Sequence, residues 1–189
     1  VGWRRQLDDR APAGSDASTA LIVHLSDIHI KADGTENPIC NRAAAIANAL
    51  AARFDITKPD ACIIALTGDI AYSGDSKEYD VATTFLGALR AQINARLKTP
   101  THLVTTPGNH DCNFSNETSV RTTILEALTY DRIDQHIVDE ATKVQENFRA
   151  FSAVHEKQLE TVYEALGVSV ARVKFGNRSL RFDRYNTAW

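Results

Sequence analysis

The chain has 189 residues, of which 43% are hydrophobic and 24% charged, and its formal net charge is −3 at pH 7. This composition is that of a globular protein of about one domain, and it excludes disordered, collagen-like and disulfide-scaffold classes. Mild acidity argues against a protein that works mainly by attracting phosphate backbones. The sequence has no apolar run near the roughly 18 residues of a membrane span, no secretory signal and no CxxC spacing among its cysteines, so we expect a cytoplasmic protein without a membrane contact.

The first part of the chain predicts an alternation of strands and helices. Residues 1–20 end in a tract rich in Ala, Pro, Gly, Ser and Asp, which predicts a linker or arm before a domain at 21–189. Short apolar runs at 21–25, 61–66 and 102–106 predict strands. Apolar residues at three- and four-residue steps predict helices at about 41–54 and 77–97. This order is typical of right-handed βαβ units on a parallel sheet, and the fold class is therefore α/β.

The pattern changes after the third strand. Residues from about 113 to 167 predict a helical insertion without a strand, and Gly167 is its predicted end. The apolar stripe of this insertion consists of Ile137, Ala141, Val144, Phe148, Phe151, Leu159, Val162 and Leu166. Core packing explains the stripe most simply, and a lid over a substrate is the alternative. Two alternating segments around Gly176-Asn177 then predict a β-hairpin over 169–185.

Polar residues that can carry chemistry follow each of the three predicted strands. They are Asp27 and His29 after the first strand, Gly68-Asp69 and Gly74 after the second, and Gly108-Asn109-His110-Asp111 after the third. Ligands of open α/β sheets gather at the carboxyl ends of the strands. In an extended chain, the side chains of Asp27 and His29 would point the same way and converge on one cation. Carboxylate, amide and imidazole groups without a thiolate fit Mn, Fe, Zn or Mg better than a structural zinc.

These segments resemble the first three motifs of the calcineurin-like metallophosphoesterase family. The matching segments are 24–29 (HLSDIH), 67–74 (TGDIAYSG) and 106–111 (TPGNHD). The resemblance implies a βαβαβ half of a metallophosphoesterase sandwich, with the helical insertion and the hairpin added to it. It also implies an enzyme that hydrolyses a phosphomonoester or phosphodiester, a nucleotide being one such substrate. The cofactors would be two divalent metal ions (Mn, Fe, Zn or Mg), with a metal-bound hydroxide as the nucleophile.

The resemblance also implies a role for each residue of the motifs. Asp27 and His29 would bind the first metal, Asp69 would bridge both metals, and Asn109 would bind the second. His110 would act as a general acid or as a donor to the phosphoryl oxygens, and Asp111 would orient it.

Later histidines that complete both metal shells in the family, including a Gly-His-x-His segment, are missing from this sequence. His136 and His155 lie on the predicted insertion and are not assigned as ligands. We therefore expect an additional C-terminal domain or segment after Trp189, on which activity depends.

Two other functions remain open. A metallophosphoesterase-like interaction module that has lost catalysis would also lack the later histidines. A nuclease is the second alternative, because five basic residues crowd the predicted hairpin: Arg172, Lys174, Arg178, Arg181 and Arg184. A half-solvated hairpin shows the same alternation of charged and apolar residues, so a nucleic acid partner is not favoured.

Overall fold

The computed structural model describes residues 18–54, 58–129 and 133–188. Most of the predicted arm, up to residue 17, lies outside this range, and Ala20 already belongs to the first strand. The elements in chain order are β1 (Ala20–Leu25), α1 (Ala43–Arg53), β2 (Ala61–Thr67), α2 (Ser76–Leu97), β3 (Thr101–Thr106), α3 (Ser119–Ala127), α4 (Gln135–Ala141), α5 (Glu146–His155), β4 (Glu160–Ala165), β5 (Val168–Phe175) and β6 (Arg178–Tyr185).

A parallel sheet in the order β1-β2-β3 forms the base of the site. This arrangement confirms the predicted βαβαβ order. The central strand β2 is almost entirely apolar because both of its faces are covered. Ile64 faces the side of α1 and α2, Ile63 faces the opposite side, and both are fully buried. The carboxyl ends of the three strands consequently lie along one edge of the sheet.

We call the loops that follow β1, β2 and β3 the first, second and third strand-end loops. Helix α2 begins directly after the second of them. The Asp75 carboxylate accepts a hydrogen bond from the Lys77 N–H at 2.9 Å, and the Glu78 carboxylate accepts one from the Asp75 N–H at 3.2 Å. This reciprocal pair is a capping box, which satisfies backbone donors at the start of a helix. The Glu78 carboxylate also accepts a hydrogen bond from the Ser73 N–H at 2.8 Å. The helix start therefore anchors the loop that leads to it. None of the helices in the described ranges combines the length and the apolar character needed to cross a membrane.

The insertion is helical only as far as His155. Residues 160–165 form strand β4, so the prediction of a helix that continues through Leu166 and ends at Gly167 is wrong. The segment Thr161-Val162-Tyr163 is β-branched and aromatic, which favours a strand. Leu166 and Gly167 have φ angles of 51° and 75° and form the two-residue turn between β4 and β5. Phe148 and Phe151 of α5 pack into the core beside α2, as the simpler interpretation of the apolar stripe requires.

A second, antiparallel sheet of β4, β5 and β6 covers the other face of the parallel sheet. Its β5–β6 pair is the predicted hairpin, which closes at Phe175 and Arg178. Val173 of β5 packs with Ile63 and Val104 of the parallel sheet. The two sheets with helices on the outer face confirm the α/β sandwich class expected from the sequence.

Two partly buried histidines away from the strand-end loops make stability sensitive to pH. Burial, helped by the charge of Arg90, lowers the pKa of His102. Burial, again helped by Arg90 and opposed by Glu156, lowers the pKa of His155, whose Nε2 lies 3.0 Å from Thr83 Oγ1. The unfolded chain, where histidine has a pKa of about 6.5, therefore binds more protons than the folded chain just below that pH.

The free energy of unfolding should consequently fall as the pH drops from about 7.5 to about 5.5, across the unfolded histidine pKa of about 6.5. Urea denaturation at a series of pH values measures this slope. In the double variant His102→Gln/His155→Gln we expect a shallower slope over the same interval. A slope that the double variant leaves unchanged would show that other groups cause the loss of stability.

Candidate metal centre

The first two strand-end loops run side by side beyond the sheet. The Asp27 N–H donates to the Gly68 carbonyl at 3.2 Å, and the His29 N–H donates to the Asp69 carbonyl at 3.0 Å. An isolated parallel bridge between Ile30 and Ala71 continues the pairing. This backbone ladder places His29 next to Asp69 although 40 positions separate them in the sequence.

Three of the predicted ligands have a left-handed backbone. The φ angles are 55° at Asp27, 44° at His29 and 52° at Asp69. Such a conformation costs a non-glycine residue about 1–3 kcal/mol and persists at functional sites where the surroundings enforce it. In the described residues, the other two non-glycine positions with positive φ are Lys98, at the end of α2, and Leu166, in a hairpin turn, where this conformation is common. The strain at the strand ends therefore coincides with the predicted metal ligands.

Among the residues that the structure describes, His29, Asp69 and His110 form a group of side chains that can hold a metal ion. Each offers one ligand atom, and these atoms lie within 4.8 Å of one another. His29 Nε2 is 4.0 Å from Asp69 Oδ2, and the rings of His29 and His110 are 4.6 Å apart between centroids. Ligand atoms at about 2.1 Å from one ion are at most about 4 Å apart. Little movement is needed to bring the three side chains around a cation.

The donor chemistry of this group suits a metal ion, and Nε2 is the His29 nitrogen that lies 4.0 Å from Asp69 Oδ2. The Nδ1 atom of His29 is buried and has no hydrogen-bond partner among the described residues. A histidine nitrogen, a carboxylate oxygen and a second histidine nitrogen are a donor set that suits Zn, Mn or Fe, so the residues present fit a metal ion.

The tautomer of His110 follows from its hydrogen bond to the backbone. His110 Nδ1 lies 2.6 Å from the Tyr72 carbonyl oxygen. A carbonyl oxygen only accepts, so Nδ1 carries the proton and Nε2 of the neutral ring has a free lone pair. This is the arrangement that metal-binding histidines usually show. His110 can therefore bind a metal through Nε2 or, when protonated, donate a proton from that atom.

Asp27 and Asn109 are less closely joined to this group. The exposed Asp27 carboxylate accepts a short hydrogen bond from the Ser26 hydroxyl and lies outside the His29–Asp69–His110 group. The expected convergence of Asp27 with His29 assumed an extended chain, whereas both residues have positive φ. Asn109 is exposed and begins the turn Asn109–Asp111 after β3.

Asp111 contacts the loops instead of the imidazole of His110. Its fully buried carboxylate accepts hydrogen bonds from Ile70 N–H at 3.3 Å, Ala71 N–H at 3.0 Å, Gly108 N–H at 2.8 Å and the Tyr79 hydroxyl at 2.9 Å. Burial raises the pKa of the Asp111 carboxyl, and these hydrogen bonds oppose that rise. Sequence reasoning missed Tyr79, because an aromatic residue in the first turns of an amphipathic helix looks like ordinary core.

Gly108 lets the second and third loops touch. A Cβ atom at this position would lie 2.1 Å from Asp69 Oδ1 and 2.5 Å from Asp69 N. The same Oδ1 atom accepts a hydrogen bond from the His110 N–H at 3.0 Å. Asp69 is therefore held directly against the Gly108–His110 turn, with its second oxygen left on the side of His29.

The basic residues of the hairpin are largely paired with carboxylates. Lys174 Nζ lies 2.8 Å from Glu160, Arg181 Nε lies 2.7 Å from Asp183, and the Arg184–Glu156 pair is almost fully buried. Paired charges of this kind leave little free positive surface for a phosphate backbone. The structure therefore adds no support to the nuclease alternative.

Comparison with known families assigns most of the chain to one model. The model described as calcineurin-like phosphoesterase matches residues 20–183, a range that includes the three strand-end loops, the parallel sheet and the antiparallel sheet up to Asp183 of β6. No curated protein matches the chain.

Proposed function

Because the chain belongs to the calcineurin-like phosphoesterase family, we propose that it hydrolyses a phosphomonoester or phosphodiester with two divalent metal ions bound at the ends of β1, β2 and β3. The observation that carries this proposal is the group of His29, Asp69 and His110, whose ligand atoms lie within 4.8 Å of one another. The 4.0 Å distance between His29 Nε2 and Asp69 Oδ2 and the left-handed backbone at His29 and Asp69 support it.

Four residues would hold the metal ions. His29 and Asp27 would bind one ion, Asn109 the other, and Asp69 would bridge them. A carboxylate has about four lone-pair positions, and within the described ranges the hydrogen bond from the His110 N–H uses one of those of Asp69. Metal ions at such a site lower the pKa of water and neutralise charge on the attacking and leaving oxygens of a phosphoester.

His110 would donate a proton or a hydrogen bond to the oxygens of the phosphoester. The Tyr72 carbonyl fixes the ring orientation through Nδ1, so the proton that His110 can exchange is the one on Nε2. In the protonated form, Nε2 would donate to a phosphoryl oxygen or to the departing oxygen, as a general acid does. Because the ligand atoms of His29, Asp69 and His110 lie within 4.8 Å of one another, a phosphate bound to the metal ions would lie within reach of His110.

Removal and return of metal tests the proposal. We expect the full-length protein, with any sequence that follows Trp189, to hydrolyse bis(4-nitrophenyl) phosphate or 4-nitrophenyl phosphate in the presence of Mn²⁺. It should lose this activity in a chelator and regain it when Mn²⁺ is restored. The ratio of the two rates separates phosphodiesterase from phosphatase activity. Hydrolysis that is insensitive to the chelator would contradict the proposal, and metal binding without hydrolysis would favour the interaction-module alternative.

A further inference from the structure

The buried Asp111 carboxylate connects three separate parts of the chain. Its donors are the N–H groups of Ile70 and Ala71 after β2, the N–H group of Gly108 after β3, and the hydroxyl of Tyr79 on α2. We propose that Tyr79 and Asp111 are positioning residues that set the distance between Asp69 and the turn that carries Asn109 and His110. The inference rests on the proposed function, because the site it positions is the proposed metal centre.

The donors of this carboxylate adjoin the proposed ligands. Ile70 and Ala71 directly follow Asp69, and Gly108 directly precedes Asn109. The buried Asp111 carboxylate therefore holds the backbone just after Asp69 and the backbone just before Asn109 at the same point. Because Asp69 Oδ1 already lies against the Gly108–His110 turn, even a small change in this connection would alter how the ligand atoms face each other. Positions of reacting groups are sensitive to such changes, since a displacement of about 1 Å can cost about 100-fold in rate.

Tyr79 contributes the one side-chain donor to this carboxylate in the described residues. The residue is 4% exposed, and its hydroxyl lies 2.9 Å from Asp111 Oδ1. Its ring packs against Phe151, with centroids 5.1 Å apart, and against Phe148, at 6.5 Å. The ring thus belongs to the core between α2 and α5, while the hydroxyl belongs to the site. A buried carboxylate that loses a donor is destabilised and takes a new position or finds a new partner.

The variant Tyr79→Phe separates the two parts of this side chain, because it keeps the ring and removes the hydroxyl. We expect the protein to remain folded by circular dichroism while its affinity for Mn²⁺, measured by calorimetry, falls by about ten-fold or more, as loss of a residue that supports metal ligands usually causes. The matched control is Phe148→Leu, which disturbs the same aromatic cluster without touching Asp111. This control should lower the melting temperature. It should change the Mn²⁺ affinity by less than about two-fold, well below the effect expected when a residue that holds metal ligands is lost.

The outcomes distinguish this inference from the proposed function. Equal Mn²⁺ affinities in Tyr79→Phe and the parent would overturn the positioning role and leave phosphoester hydrolysis intact. Weaker Mn²⁺ binding in Tyr79→Phe, in a protein that hydrolyses neither aryl phosphate, would support the positioning role and refute the proposed function. Weaker binding in both Tyr79→Phe and Phe148→Leu would also overturn the inference, because packing alone would then explain the effect.

Discussion

Asp69→Asn should abolish metal-dependent phosphoester hydrolysis while the protein stays folded. The amide has the shape of the carboxylate, and its oxygen can still accept the hydrogen bond from the His110 N–H. Asparagine also tolerates the left-handed backbone at this position, where φ is 52°. The substitution therefore removes mainly the negative charge that would bridge two cations. Groups that stabilise charge at a reaction centre contribute about 10²–10³-fold to the rate, and the loss of a bridging ligand should reach at least that range.

The measurement is kcat/KM for bis(4-nitrophenyl) phosphate at a fixed Mn²⁺ concentration, with circular dichroism as the check on folding. Asp80→Asn is the matched control, because Asp80 is an exposed residue of α2 and its charge lies outside the proposed ligand set. We expect Asp80→Asn to retain the parent rate. Substantial metal-dependent turnover in Asp69→Asn would refute the proposal that Asp69 is a bridging metal ligand.

Gly108→Ala should damage both the metal centre and the fold around it. The added Cβ would lie 2.1 Å from Asp69 Oδ1 and 2.5 Å from Asp69 N, so the backbone of one loop must move. The φ angle of Gly108 is −108°, which alanine adopts readily, and the expected effect is therefore purely steric. Overpacking costs typically about 1–3 kcal/mol. We expect a loss of this size in the free energy of unfolding, together with a large loss of Mn²⁺ affinity.

Urea denaturation and Mn²⁺ calorimetry measure the two effects of Gly108→Ala. The matched control is Gly87→Ala in α2, where an added Cβ would have no atom within 4 Å. Because alanine favours a helix over glycine by about 1 kcal/mol, this control should be slightly more stable than the parent and bind Mn²⁺ equally well. If Gly108→Ala behaved like Gly87→Ala, the close contact between the second and third loops would be refuted.

Much of the fold follows from patterns that are local in the sequence. The apolar run of β2 predicts a strand buried on both faces, and Gly176-Asn177 between alternating segments predicts the β5–β6 hairpin; both are confirmed. Strand β4 could not be found in the same way, since its apolar residues continue the helical spacing of α5. The β-branched and aromatic residues of segment 161–163 favour a strand. This preference outweighs the helical spacing because β5 supplies a strand with which β4 pairs.

For the candidate site too, the sequence predicts some features and not others. The order of the three motifs after the three strands predicts that polar residues of the three loops gather at one edge of the sheet, and His29, Asp69 and His110, one from each loop, lie together there. The direction of each side chain depends on backbone angles that the motifs do not specify. Positive φ at Asp27 and His29 removes the expected alternation, and the contacts of Asp111 with Tyr79 and the two loops arise only from tertiary packing. Residue identity thus predicts the chemistry of the site better than it predicts the contacts that hold it.

Pulsed electron paramagnetic resonance of Mn²⁺ bound to the full-length protein tests the proposed metal centre most directly, because it detects the nitrogen nuclei of histidine ligands without any need for turnover. We expect a histidine nitrogen coupling in the parent protein that is lost or reduced in His29→Gln, because Nε2 of His29 lies 4.0 Å from Asp69 Oδ2. The exposed His136 supplies the control variant His136→Gln, which should leave the coupling unchanged. A spectrum without nitrogen coupling, or one that His29→Gln does not change, would contradict a metal centre at the ends of these three strands.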